Sequence, residues 1–216
     1  MIHSTKPRQF VVLGHDAPTE PDFSLDSLTQ GRLDLLCRCV TSSFVLSHSL
    51  RDDTRLYLVL SDEVTLRFEG DELRHLNPDE RSTASLIRKA LKKKDDVVGM
   101  VEAESTPGIY VSRKGFDDVL SGIDTDTDSE TSVDVVELHE DGEPVTQIET
   151  DIEDGRERNL CFVLSDHHDL TDGESRLVEE VRDRRVSLGS KSLHADDSIT
   201  LAHNYLDTRG YEKYKL

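Results

Sequence analysis

The chain has 216 residues, 45 of them acidic and 26 basic, which gives a formal net charge of −19. That length suits one α/β domain with a real core, and its three cysteines exclude a disulfide framework and point to a reducing compartment. The N-terminal MIHSTKPRQF has no apolar signal core and no later run reaches membrane-spanning length, so a soluble cytoplasmic protein is expected.

In chain order, Gln9–Leu13 is a short β-branched run and reads as the first strand. A turn-rich loop with Pro18 and Pro21 follows as far as Gly31. Leu33, Leu36, Cys37, Val40 and Phe44 then fall at helical spacing, predicting a helix to about Ser49 with Arg32, Asp34 and Arg38 off the apolar stripe. Cys37 and Cys39, two apart on that helix, point in different directions and make a poor metal pair. Cys161 lies inside an apolar run and reads as core.

Arg55–Ser61 and Val64–Phe68 read as two strands of a hairpin. Asn77-Pro78-Asp79-Glu80 predicts a helix start, with Asn77 as cap and Pro78 in the first turn. Ala84, Ile87, Ala90 and Leu91 face inward on that helix, which ends in Lys92-Lys93-Lys94. Its Arg81, Arg88, Lys89 and terminal lysines gather positive charge in one element. They admit two readings, compensation of the helix dipole and a phosphate-contacting patch. Ser105–Gly108 is a turn feeding the strand Ile109–Val111, followed by Arg113 and Lys114.

Residues 121–132 form an acidic low-complexity segment and read as an exposed loop; calcium is disfavoured because the glycine and distal glutamate of a calcium loop are missing. Val133–Leu138 is a strand expected to end in a turn at His139–Gly142. Asn159–Leu164 is a continuous apolar run, as in a strand buried on both faces. After the loop Ser165-Asp166-His167-His168 comes a helix from about Gly173 to Arg184, then the strand Val186–Leu188. A small-residue loop leads to a last helix with Ile199, Ala202, Tyr205 and Leu206 on one face. Such alternation is a parallel α/β unit. Leu138, Ser165 and Ser187–Gly189 should then open on one side, the ligand end of the sheet. Adjacent His167 and His168 rarely share an ion and no third ligand is evident, so no metal is expected. His139, His194 and His203 receive no chemistry.

Five stretches in order, GRLDLLCRCV (31–40), NPDERS (77–82), STPGIYVSRKGF (105–116), SDHH (165–168) and RVSLGSKSLHADDSITLAHNYLD (185–207), together resemble one family nearly end to end. It is the archaeal tRNA pseudouridine-54 N1-methyltransferases, within the SPOUT superfamily. The resemblance implies an α/β fold with a mostly parallel sheet flanked by helices and a C-terminal trefoil knot. It implies a single domain over 1–216, with 133–216 as the knotted, cofactor-binding part. It also implies S-adenosylmethionine as methyl donor, a homodimer, and tRNA carrying pseudouridine at position 54 as substrate.

Carried over by motif, the cofactor pocket is Leu138, Ser165, Asp166, Val186, Ser187, Leu188, Gly189, Leu193 and Ser198. Relatives often have Gly where this chain has Ser165 and Cys where it has Ser198. Asp34 and Asp166 are candidates to take the N1 proton, or its hydrogen bond. Arg32, Arg81, Arg88, Arg113 and Lys114 are RNA-contact candidates. The alternatives are a binding module that kept the fold without catalysis and an enzyme acting on ribosomal pseudouridine. The acidity ordinarily argues against nucleic acid, yet an acidic, lysine-poor surface resembles proteins of salt-loving archaea. Molar salt shortens the Debye length to about 3 Å, so bulk repulsion of phosphate is screened.

Overall fold

The computed structural model describes residues 8–123, 132–149 and 158–212; part of the acidic segment, 124–131, lies outside them. The strands are β1 (Arg8–Gly14), β2 (Thr54–Leu60), β3 (Val64–Glu69), β4 (Ala103–Thr106), β5 (Ile109–Ser112), β6 (Asp134–Pro144), β7 (Leu160–Ser165) and β8 (Arg184–Ser187). The helices are α1 (Leu33–Phe44), α2 (Glu80–Lys93), α3 (Phe116–Ser121), α4 (Asp172–Val181) and α5 (Ala195–Asp207). All strands join one sheet in the order β4-β5-β3-β2-β1-β7-β6-β8. From β2 to β8 the neighbours are parallel, and β3, β5 and β4 extend the other side antiparallel.

The centre of the sheet is buried on both faces, which is why β1 and β7 read as unbroken apolar runs. Phe10, Val12, Leu160 and Phe162 point into a core shared with α1, α2 and α5. Val11, Leu13, Cys161 and Val163 point the other way, onto Phe116, Val119 and Leu120 of α3 and Val178 of α4. Phe10 and Phe162 stack with centroids 5.4 Å apart across neighbouring strands. Burying each such ring contributes about 1.5–3 kcal/mol. The three cysteines are free and buried.

The expected elements form, with physical corrections at their ends. α1 stops at Phe44 instead of continuing to Ser49, because Val45 turns extended and bridges to Leu50. Leu35 and Cys39 are buried beside the expected stripe, since α5 and α2 pack on α1 from further sides. The cap of α2 is Asp79, not Asn77: its carboxylate accepts from the Ser82 N–H at 2.8 Å. Lys94 leaves the exposed basic run, because its buried Nζ donates to Thr19 O at 2.9 Å and pairs with Glu20. The hairpin turns through Ser61 and Asp62 at φ 47° and 54°, the mirror-image turn that matches strand twist. β4 and α3 are additions that apolar periodicity did not announce; each is short.

Two corrections bear on the site. α4 ends at Val181 and Arg184 opens β8, so the helix is shorter than the expected Gly173–Arg184. Likewise β6 does not end at Leu138. It makes an irregular excursion over 139–142 and rejoins, so that Leu138 and Glu143 both register with Val186. Only glycine fits at 142: a Cβ there would sit 2.5 Å from the Val186 backbone. Among the described residues no helix is long and apolar enough to cross a membrane.

Candidate active site

β1, β6, β7 and β8 run parallel, so their C-terminal ends share one edge of the sheet. A cavity of about 340 Å³ opens there, closed by the chain from Ser165 to Leu170, the loop after β8 and the first turn of α5. Of the expected pocket residues, Leu138, Ser165, Asp166, Leu188, Gly189, Leu193 and Ser198 border it. Val186 and Ser187 do not. Val186 is fully buried beneath the cavity, and Ser187 is half-buried at the end of β8.

The lining has the character a nucleoside-bearing cofactor needs. Leu138 of β6 and Leu188 and Leu193 of the loop after β8 offer apolar surface. Arg185 and Lys191 contribute positive charge at the rim, and Arg185 is fixed by Glu137, which accepts from its Nε at 2.8 Å and its Nη2 at 2.9 Å. A Cβ placed on Gly189 would meet no atom within 4 Å, so open space stands over that α-carbon. Gly189→Val should therefore leave the melting temperature unchanged and weaken S-adenosylmethionine binding about tenfold or more by filling that space, as read by calorimetry in molar KCl. Unchanged affinity would place the ligand elsewhere.

Asp166 is held more tightly than a loop carboxylate. Its Oδ2 accepts from the His15 N–H at 3.0 Å, and its Oδ1 lies 3.0 Å from His15 Nδ1 and from the His168 N–H. The side chain is 1 % exposed. Burial raises its pKa, but the hydrogen bonds from His168 and His15 lower it further, so the carboxyl stays below the usual range. His15 in turn places Nε2 3.1 Å from Glu174 Oε2. No sequence pattern singled out His15. It does directly follow β1, and the residue after a parallel strand sits at the ligand edge.

Asp34 lies apart from the cavity. Its oxygens accept from Arg32 Nε at 3.3 Å and Arg38 Nη1 at 3.1 Å. Burial pulls its pKa up, and Arg38 and Arg32 pull it down further. Arg38 also reaches Asp196 at 3.1 Å and Glu80 at 3.1 Å. Asp34 is thereby tied to the first turn of α5, whose Ala195 and Ser198 border the cavity. Arg32 itself adopts a left-handed conformation at the entry to α1.

Arg81 and Arg88 lie two turns apart on α2; Arg81 is exposed and pairs with Asp26, while Arg88 is half-buried. Arg113 is exposed after β5 and lies 3.5 Å from the Lys94 carbonyl, beside the end of α2. Lys114 is half-buried, and its carbonyl accepts from Thr65 Oγ1. His203 is core: burial drives its pKa down to about 3, and Nε2 lies 3.1 Å from the Ser43 carbonyl. A third ligand-type group does stand near His167 and His168. Asp16 completes a set of atoms within 4.8 Å of one another, but all three residues are exposed, and Asp16 is already bonded to His168 Nε2 at 3.2 Å.

Residues 7–211 match the family model described as SAM-dependent RNA methyltransferase. The tRNA (pseudouridine(54)-N(1))-methyltransferase of Haloferax volcanii is 57 % identical over 209 residues, covering 96 % of this chain and all of that one. The chain belongs to this family. The methyltransferase of the same description from Methanocella arvoryzae is 43 % identical, covering 94 % of this chain and all of its own. The crystal structure of Archaeoglobus fulgidus Nep1 bound to S-adenosylhomocysteine superposes with a TM-score of 0.60 at 15 % identity, covering 94 % of this chain and 98 % of that one. That likeness is one of fold alone: an α/β sheet flanked by helices, as the motifs led one to expect.

Proposed function

We propose that this chain transfers a methyl group from S-adenosylmethionine to N1 of pseudouridine at position 54 of tRNA. The observation that carries the reading is the match, over nearly the whole chain, to relatives so described. The cavity at the strand ends supports it, with the composition and free volume that a nucleoside and an amino-acid tail require. Methylation of purified tRNA, read by nucleoside mass spectrometry, tests it.

When bound, S-adenosylmethionine supplies a methyl group on a positively charged sulfur. The chain's own task is to hold and orient it and to ready the nucleophile. Leu138, Leu188 and Leu193 receive the apolar ring, Gly189 leaves room for close backbone approach, and Ser165 and Ser198 offer hydroxyls. Asp166 keeps the wall between Ser165 and Leu170 in place; its oxygens are already engaged by His15 and His168.

N1 of pseudouridine carries an N–H that must be given up. Asp34 is the acceptor in this reading; because it stands apart from the cavity of its own chain, dimer or domain geometry brings it to within about 3 Å of the base. It is held ionised by two arginines, which suits a carboxylate that accepts a hydrogen bond better than one that binds a proton tightly. Arg32 beside it grips a phosphate, and Arg81, Arg88, Arg113 and Lys114 form the wider RNA surface. The chain acts as one domain and works in the cytoplasm, where tRNA is. The C-terminal, cofactor-binding part carries the trefoil knot and the dimer contact in this reading, so light scattering in molar KCl is expected to give the mass of two chains. A monomer at micromolar concentration would contradict the dimer.

A further inference from the structure

His15 joins three segments at the edge of the cavity. It closes β1, its Nδ1 and backbone N–H meet Asp166 at the exit of β7, and its Nε2 meets Glu174 in the first turn of α4. A neutral imidazole has one donor and one acceptor nitrogen, whereas both ring nitrogens here face carboxylate oxygens. Only the imidazolium can donate to both. Glu174 is committed to this place, since its Oε2 also accepts from Thr171 N at 2.7 Å and Thr171 Oγ1 at 2.8 Å in a capping box. The His15 carbonyl accepts from Ser61 Oγ at 2.9 Å, which anchors the backbone as well.

We propose that protonated His15 is a positioning residue for the methyl-donor pocket, clamping the wall Asp166–Leu170 between β1 and α4, and that its deprotonation loosens donor binding. This rests on the reading of the cavity as the donor site. The sign follows from the partners. Burial lowers the His15 pKa, but its bonds and charges with Asp166 and Glu174 raise it more, to above the ordinary histidine value. The clamp is therefore whole at acidic pH and is lost as pH rises through that raised value. The ionisable groups facing the ring are Asp166 and His168 from the loop after β7 and Glu174 from α4. The His168 ring is edge-on at 5.8 Å, and Asp16 bonds it in turn.

The test is calorimetric titration with S-adenosylmethionine from pH 6 to pH 9 in molar KCl, on the full chain and on His15→Gln and Glu174→Gln, with a melt of each to show folding. The parent chain is expected to lose about tenfold in affinity across the range, the worth of one charge-assisted hydrogen bond. His15→Gln should bind more weakly at pH 6 and show a flatter profile. Glu174→Gln should bind more weakly than the parent at pH 6, where it lacks the charge-assisted bond, and lose less of its affinity by pH 9. Its carbonyl still accepts from Thr171, because Gln serves a capping box as Glu does, and with no carboxylate facing Nε2 the deprotonation of His15 changes less. The donor's own α-amino group titrates at about pH 8, but it acts on every variant alike. Parallel profiles in all three proteins would overturn the clamp while leaving the donor site standing. No binding at any pH would overturn the donor site and the clamp with it.

Discussion

Asp166→Asn is expected to lower S-adenosylmethionine affinity at least tenfold and to cost about 1.5–3 kcal/mol of stability, whereas Asp34→Asn should leave both nearly unchanged and abolish methyl transfer. The contrast follows from where the two carboxylates sit. Asp166 is buried at the cavity wall, accepting from His15 and His168 through both oxygens. An amide keeps one acceptor and turns an N–H₂ against donors, so the wall must shift. Asp34 is linked to the cavity only through Arg38 and Asp196. Its amide keeps the shape of the network but weakens the acceptor offered to N1. Calorimetry and a methyl-transfer assay separate the two effects. Normal transfer by Asp34→Asn would reduce that residue to partner of Arg32 and Arg38 and of the α1 dipole.

Glu69→Ala should destabilise the fold by about 3–5 kcal/mol, because it withdraws a carboxylate from between two buried guanidinium groups. Arg55 Nε and Arg67 Nη1 both donate to Glu69 Oε1, and the three residues are 7 %, 2 % and 3 % exposed for Arg55, Arg67 and Glu69 respectively. Arg67 keeps Glu102 at 2.7 Å and lies over the Tyr110 ring at 4.1 Å, while Arg55 lies over the Tyr57 ring at 6.0 Å. The network ties β2 and β3 to β5, the strand that presents Arg113 and Lys114. Because the group is buried, molar salt should not rescue the variant. Denaturant unfolding in dilute and molar KCl measures this; a loss below about 1 kcal/mol would mean that the pairing contributes little beyond its desolvation cost.

The strands and helices that carry the sheet were legible because apolar periodicity reports burial directly: β1 and β7 as continuous runs, α2 and α5 as stripes. What the periodicity missed were features set by contacts distant in sequence. The excursion of β6 past Leu138 depends on Val186 lying against Gly142, which no local pattern encodes. The end of α1 at Phe44 reflects a bridge between Val45 and Leu50. In the site, the cavity-lining residues Leu138, Ser165 and Gly189 could be placed by topology and family motif. His15 and Glu174 could not, since they are 159 residues apart and meet only because α4 packs on the sheet face that carries Val11 and Leu13. Lys94 shows the converse case: a lysine that composition counts as surface charge is spent inside, on Thr19 and Glu20.

The central claim is that this chain methylates N1 of pseudouridine at position 54. Two transcripts of one tRNA, with pseudouridine or uridine at position 54, are incubated with the protein and S-adenosylmethionine in molar KCl, alongside ribosomal RNA. Each is then digested for nucleoside mass spectrometry. N1-methylpseudouridine is expected in the pseudouridine-bearing tRNA alone, and is expected to be lost in Asp34→Asn. Methylated ribosomal RNA with untouched tRNA, or no methylated nucleoside despite measurable donor binding, would contradict it.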